Sequence, residues 1–392
     1  MYALYQGIQQ VLIPLQVQHI DPDKKVANLA ILTVVAAVTS LLALPIGGAV
    51  SDRTTGRFGR RTPWLVVTSV ASAALVVVMG YQTSLVPLAI TYAALWFTAN
   101  FYQGAWAPIL PDRVPPARRG IASSVIGFGT PLGIVAGVNY AANVPQTVAY
   151  WTIGLFLVGA TLILVFGAPE GPFAGHGSVD VAVRERTPVT RRISDFFSGF
   201  RSKNFTLAFT SRFMFYLAYF VVFGYLLYTL QDRIGVENLP GNNAAMSIGI
   251  LTTINTTTWI VVAACIGWIS DRIGRRKIFV GIAAAGMGLA MLVPLISPTW
   301  TGMVVFSILV GGFKGAYLAV DMALMSLVLP NKTSEGRDFG LLSVATGAPQ
   351  LMSGAIAGAL ITFAGGYDAL FIFGAAAAVV GGLVVGPIKG IR

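Results

Sequence analysis

The chain alternates long apolar runs with short polar breaks. Twelve runs fall near Tyr2–His19, Val26–Val50, Pro63–Tyr81, Val86–Leu110, Ile121–Tyr140, Ala149–Phe166, Phe205–Leu230, Ala245–Ile269, Ile278–Ile296, Thr301–Leu329, Phe339–Phe363 and Ala369–Ile388. Each is close to the ~20 residues a helix needs to cross a hydrocarbon core. The pattern predicts an all-α membrane protein with twelve transmembrane helices. Glycine and proline recur inside the runs, where they would break soluble helices but permit close packing and kinks in a membrane bundle.

The polar breaks carry a repeat. Gly48-Ala-Val-Ser-Asp52-Arg53-Thr-Thr-Gly-Arg57-Phe-Gly59-Arg60-Arg61 ends the second run, and Gly267-Trp-Ile-Ser-Asp271-Arg272-Ile-Gly274-Arg275-Arg276 ends the eighth. One charged turn in two equivalent places predicts two related, pseudo-symmetric six-helix halves, residues 1–168 and 204–392. The polar stretch 169–203 between them is a cytoplasmic linker, and its Ile193–Phe200 segment has the makings of an amphipathic helix on the membrane surface.

Composition agrees: 55% of residues are hydrophobic and 10% charged, with a mean hydropathy of +0.75. That is more apolar surface than a soluble core hides. A net charge of +11 would suggest nucleic acid in a soluble protein, but here the basic residues sit in short loops and set topology instead. Of 26 lysines and arginines, 21 fall in the loops and tail on one side and three, Lys24, Lys25 and Arg233, on the other. Both repeated turns are therefore expected in the cytoplasm, with the protein multi-pass in the plasma membrane. Cys265 is the lone cysteine, and His19 and His176 have no ligand neighbours, so neither an internal disulfide nor a metal site is expected. No HExxH motif or Ser/His pair is present, which argues against an enzyme. The first run begins at Met1 without a basic flank, so an upstream start stays open.

Charges inside the runs are the sharper clue, because a charge at the bilayer centre costs roughly 2.5–3.5 kcal/mol and is rarely kept without a task or a partner. Lys314, Tyr317 and Asp321 share one face of the tenth run, and Arg212, Tyr216 and Tyr219 share one face of the seventh. A titratable carboxylate near fixed cations suits proton coupling; a static ion pair between helices is the alternative. Neutral polar residues form further stripes: Gln6, Gln9 and Gln10 on the first run, Tyr92, Trp96, Asn100 and Gln103 on the fourth, Asn255 and Trp259 on the eighth. Aromatic faces stack on a pyranose and amides bond its hydroxyls, although each residue taken alone can equally be packing.

Six runs, an inner linker and six more, with G-x-x-x-D-R-x-G-R-R after runs two and eight, resembles the major facilitator superfamily across essentially the whole chain. The expanded first copy, Asp52 to Arg61, and Asn100-Phe-Tyr-Gln103-Gly104 with Asp112 beyond are similar to the sucrose carriers and the wider glycoside–pentoside–hexuronide cation symporters. The resemblance implies a monomeric carrier working by alternating access on a small solute, with the lipid bilayer as its partner. It implies uptake of a sugar or glycoside with a proton and no cofactor; a multidrug or metabolite exporter is the rival reading. For Gly48, Asp52, Arg53, Gly59, Arg60, Gly267, Asp271, Arg272, Gly274 and Arg275 it implies a cytoplasmic gate, a carboxylate and arginines bridging helix ends in one conformation and releasing them in another. Fixing topology and binding lipid headgroups is the other reading of the arginines. Two departures matter: Leu44 and Ser40 stand where sodium-coupled members carry acidic residues, which favours the proton over sodium, and Ala107 replaces the arginine of sucrose carriers.

Overall fold

In the computed structural model, residues 1–115, 118–171, 200, 202–273, 276–328 and 335–388 are described. The segment 193–199 and the residues Gly274 and Arg275 of the second repeated turn lie outside them, as does the Asp271 side chain. Contacts divide the chain into two compact units, Met1–Ala182 and Val183–Arg392.

In the first unit the helices are α1 (Tyr2–Gly7), α2 (Ile13–Ile20), α3 (Lys25–Arg53), α4 (Thr62–Gly80), α5 (Leu85–Trp106), α6 (Ile109–Arg113), α7 (Arg119–Asn143) and α8 (Gln146–Gly167). In the second they are α9 (Lys203–Phe223), α10 (Leu226–Thr229), α11 (Ala244–Ile273), α12 (Arg276–Ala290), α13 (Val293–Ile296), α14 (Trp300–Val328), α15 (Glu335–Phe363) and α16 (Tyr367–Val385). Among the described residues, 11 helices are long and apolar enough to cross a membrane.

The first expected span falls short of that test because it is interrupted. Between α1 and α2 the chain takes a π-helical turn, Ile8–Leu12, and Ile13 N–H donates to Ile8 O, five residues back. Pro14 follows at the start of α2. Proline has no N–H and its ring clashes with the carbonyl one turn earlier, so a local widening of the helix just before it relieves both problems. Gln9 and Gln10 lie within this widened turn.

Helix pairing repeats between the units. In the first, α3 packs on α5, α4 on both α5 and α8, and α1 on α7; in the second, α11 packs on α14, α12 on both α14 and α16, and α9 on α15. Runs two and four of one half thus correspond to runs eight and ten of the other. The closest crossings rest on glycine in both. A Cβ on Gly104 of α5 would lie inside contact distance of Leu44 O on α3, and one on Gly315 of α14 inside that of Trp259 O on α11. Gly104→Ala is therefore expected to force the helices apart and cost about 1–3 kcal/mol, read as a lower thermal midpoint in detergent. Gly267→Ala, whose Cβ would meet nothing within 4 Å, should leave the midpoint unchanged or raise it.

Candidate functional site

Two constellations stand out, one inside the second unit and one at the α3–α4 turn of the first. In the second unit, Arg212 on α9 reaches across to α14, where its Nη1 lies 2.8 Å from Asp321 Oδ2. Its Nε donates to Thr346 Oγ1 on α15 at 3.0 Å, and its guanidinium sits 5.7 Å from the Tyr216 ring. One arginine thereby joins three helices. Asp321 is 1% exposed. A buried pair of this kind is roughly neutral for stability while intact, but removing one partner leaves an uncompensated buried charge. Asp321 Oδ1 and the Tyr317 hydroxyl, one helical turn apart, are both buried without a well-aligned hydrogen bond.

Lys314 shares a helical face with Asp321, but among the described residues the ion pair of Asp321 is with Arg212. The Lys314 Nζ lies 3.9 Å from the Tyr219 ring centre and 4.5 Å from that of Trp259, bridging α9 and α11. Cation–π contacts contribute up to about 2 kcal/mol when desolvated, enough to draw the ammonium away from a carboxylate already held by arginine. Tyr317, on the same face, is fully buried and stacked on Phe215 at 3.7 Å. It is packing, not an open binding surface. Asn255, expected to meet a solute, donates to Ser307 O at 3.1 Å and ties α11 to α14.

The fourth-run stripe is similarly divided. Tyr5 of α1 stacks on Trp96 at 4.8 Å, and Tyr92 meets the same indole edge-on at 5.8 Å. Asn100 Nδ2 donates to Ser40 Oγ on α3 at 2.9 Å and to Trp96 O at 2.8 Å. Trp96 therefore has one face covered and Asn100 has its donors taken up. Gln103 and the trio Gln6, Gln9 and Gln10 remain partly exposed, with Gln10 donating to Gln6.

At the α3–α4 turn the centre is a residue outside the expected gate set. Arg61, 2% exposed, places Nη2 2.9 Å from Asp52 Oδ1 and Nε 2.6 Å from Asp112 Oδ2 on α6. Its Nη1 also donates to Ser51 Oγ at 3.3 Å and Ala105 O at 3.4 Å. Arg60 adds a second bridge to Asp112 at 2.7 Å and lies 3.9 Å from Asp52. Arg53 takes no part: it is exposed, and among the described residues no ion pair reaches it. Arg272 in the second copy is also exposed, its guanidinium 5.1 Å from the Trp268 ring. A Cβ on Gly48 would lie 3.7 Å from Gly104 O, while one on Gly267 would meet open space. Gly59 has φ +81 and lies directly against Glu170, so a side chain there would be both strained and crowded.

Glu170, just beyond α8, closes the turn from the far end of the unit. It accepts from Arg61 N at 2.9 Å, Thr62 N at 3.0 Å and Thr62 Oγ1 at 3.1 Å, and Arg113 Nη2 lies 3.3 Å away. It caps the N-terminus of α4 with a carboxylate far away in sequence. Burial raises its pKa, but the Thr62 and Arg61 amides, the Arg113 charge and the Thr62 hydroxyl outweigh it and hold the group below the ordinary glutamate range. A depressed folded-state pKa means the cap stabilises fully above the unfolded value and is lost as pH falls through the folded one. Glu170→Gln is expected to lower stability by about 0.5–2 kcal/mol at neutral pH. In thermal melts run at decreasing pH, the gap to wild type should close once the medium is more acidic than the folded pKa.

The sequence matches the family model described as Major Facilitator Superfamily over residues 1–245 and again over 209–389. The chain belongs to the Major Facilitator Superfamily. Its fold is shared with a peptide transporter, POT, crystallised in complex with sulfate, at a TM-score of 0.71 and 16% identity over 99% of this chain and 91% of that one. Two curated relatives match shorter stretches. A general alpha-glucoside permease of Schizosaccharomyces pombe is 22% identical over 53% of this chain, and a citrate-proton symporter of Klebsiella pneumoniae is 30% identical over 31%. The matches span 41% and 29% of those relatives' own lengths. As a superfamily member the chain carries the repeated turn on α3 and α11 and its buried ion pair between α9 and α14.

Proposed function

We propose that the chain is a secondary transporter that takes up a sugar or glycoside together with a proton by alternating access, as a monomer in the plasma membrane with both repeated turns in the cytoplasm. The Arg212–Asp321 pair carries the reading. A carboxylate held by one arginine between two membrane helices can exchange that partner for a proton, and doing so frees α9 from α14. The α3–α4 turn is the latch of the same cycle: Asp52, Asp112 and Glu170 hold Arg60, Arg61 and Arg113, joining the ends of α3, α6 and α8 to the start of α4.

Leu44 and Ser40, where sodium-coupled symporters carry acidic residues, support the proton as coupling ion, as does the name of the Klebsiella relative. The glutamines around the widened turn of the first helix support a hydroxyl-rich solute, since each amide offers a donor and an acceptor; the fission-yeast relative is named for a glucoside. The test is uptake of labelled sugars and glycosides into proteoliposomes under an imposed pH gradient. Gradient-driven accumulation is expected. Efflux driven by the opposite gradient would favour the exporter reading, and no movement of any sugar under either gradient would sink the symporter.

A further inference from the structure

Arg212 is held by two neighbours of different kinds. Nη1 meets the Asp321 carboxylate on α14, which a proton can neutralise, and Nε donates to the Thr346 hydroxyl on α15, which stays as it is. The helix that carries the arginine packs along much of α15 but touches α14 only lightly, so the ion pair is a main link between α9 and α14 and an extra one between α9 and α15. Among the described residues, the other titratable groups at the carboxylate are Tyr216 from α9 and Tyr317 from α14 itself. The remaining helices packed on α14, α11 and α12, bring no charge to it, and Lys314 is taken up by its two rings.

An arginine side chain 12% exposed cannot turn to bulk water for a lost partner. When Asp321 takes a proton, the anion is gone and the hydroxyl remains. A hydrogen bond from a cation to a neutral oxygen counts for more when no anion already offsets the charge. An interaction shifts an equilibrium only by the difference it makes between two states, and this one favours the protonated state. If the position served packing alone, valine would fill the same shape with no polar group to bury.

We propose that Thr346 is the positioning residue of the coupling site: it keeps Arg212 on α15 as Asp321 takes its proton, so that α9 gives up α14 without leaving a cation stranded. This rests on the proton-coupling reading above and supplies the other half of the exchange. Without the hydroxyl, Asp321 would hold its arginine down to a lower pH.

Infrared titration of the purified protein in detergent reads the carboxyl group directly and needs no solute. The C=O stretch of the protonated acid is followed as the pH is lowered, and the band that Asp321→Asn removes belongs to Asp321. Thr346→Val keeps the shape and loses the hydroxyl; Thr346→Ser keeps the hydroxyl and loses a methyl. Thr346→Val should move the midpoint of that band to lower pH by about 0.5–1 pH unit, the worth of one hydrogen bond that differs between the protonation states, and Thr346→Ser should stay near wild type. A midpoint unmoved or raised in Thr346→Val, or moved as far in Thr346→Ser, overturns the proposal and leaves Asp321 as the coupling group. The absence of any titrating band that Asp321→Asn removes overturns the coupling reading and this role with it. Should Thr346→Val fail to fold, Thr346→Ala, which lacks the hydroxyl without setting a methyl against the guanidinium, carries the same expectation.

Discussion

Asp321→Asn is expected to abolish accumulation against a pH gradient while solute exchange across the same membrane continues. Asparagine keeps the shape of the side chain and an oxygen for Arg212, but it cannot take up and release a proton. The pair can also be structural, and the stability of the variants separates the two roles. Replacing either partner alone strands a buried charge at a cost of about 3–5 kcal/mol, whereas replacing both together is close to neutral. Arg212→Gln and Asp321→Asn should each lower the thermal midpoint, and the double variant should recover most of the loss, the two residues being in contact and therefore non-additive. If the well-folded double variant still concentrates solute on a proton gradient, Asp321 is not the coupling group.

The membrane fold was legible because lipid imposes one rule on every span. The run lengths, the repeat of the charged turn and the one-sided distribution of arginine all read directly from the sequence. Hydropathy could not show the widened turn at Ile8–Leu12, because the signal there is one proline whose effect depends on the turn before it. The charged residues were legible as a set but not as pairs. Helical spacing placed Lys314 and Asp321 on one face, yet pairing is decided by the neighbouring helix, and α9 offers an arginine to one and a tyrosine ring to the other. Asn100 and Asn255 looked like solute ligands by residue type. Each faces a helix that a glycine has brought within hydrogen-bonding reach, so each is bound internally. Glu170 could not have been found from spacing, since it acts on a helix start 108 residues earlier. A Pro-Glu just after a span, with an arginine turn awaiting an anion, is the only trace it leaves.

Arg61→Gln is expected to be the most damaging change at the latch, more so than Arg60→Gln, with Arg53→Gln close to silent. The ranking follows from burial and geometry. Arg61 is 2% exposed, and its planar fork meets Asp52 and Asp112 at once; Arg60 has a side chain 20% exposed and one short bridge, to Asp112. Removing Arg61 leaves Asp112 with Arg60 alone, and Asp52 with a partner 3.9 Å away. The expected cost is about 1–3 kcal/mol, the range for losing charge-assisted hydrogen bonds when the carboxylates left behind, Asp52 at 53% and Asp112 at 27% side-chain exposure, still meet water or Arg60, against less than about 0.5 kcal/mol for exposed Arg53. Lysine should not rescue position 61, because a single ammonium cannot reproduce two divergent charge-assisted bonds plus those to Ser51 and Ala105. Thermal melts in detergent give the stability order, and initial uptake rates give the functional one. The two orders need not coincide, and that is what the comparison can decide. If the arginines only fix topology, charge-removing variants at 53, 60 and 61 should act alike on orientation and leave turnover unchanged in correctly inserted protein. If the turn is a latch, turnover should fall steeply at 61 and remain near wild type at 53, because only a group bonded in one conformation and released in another can shift the balance between them.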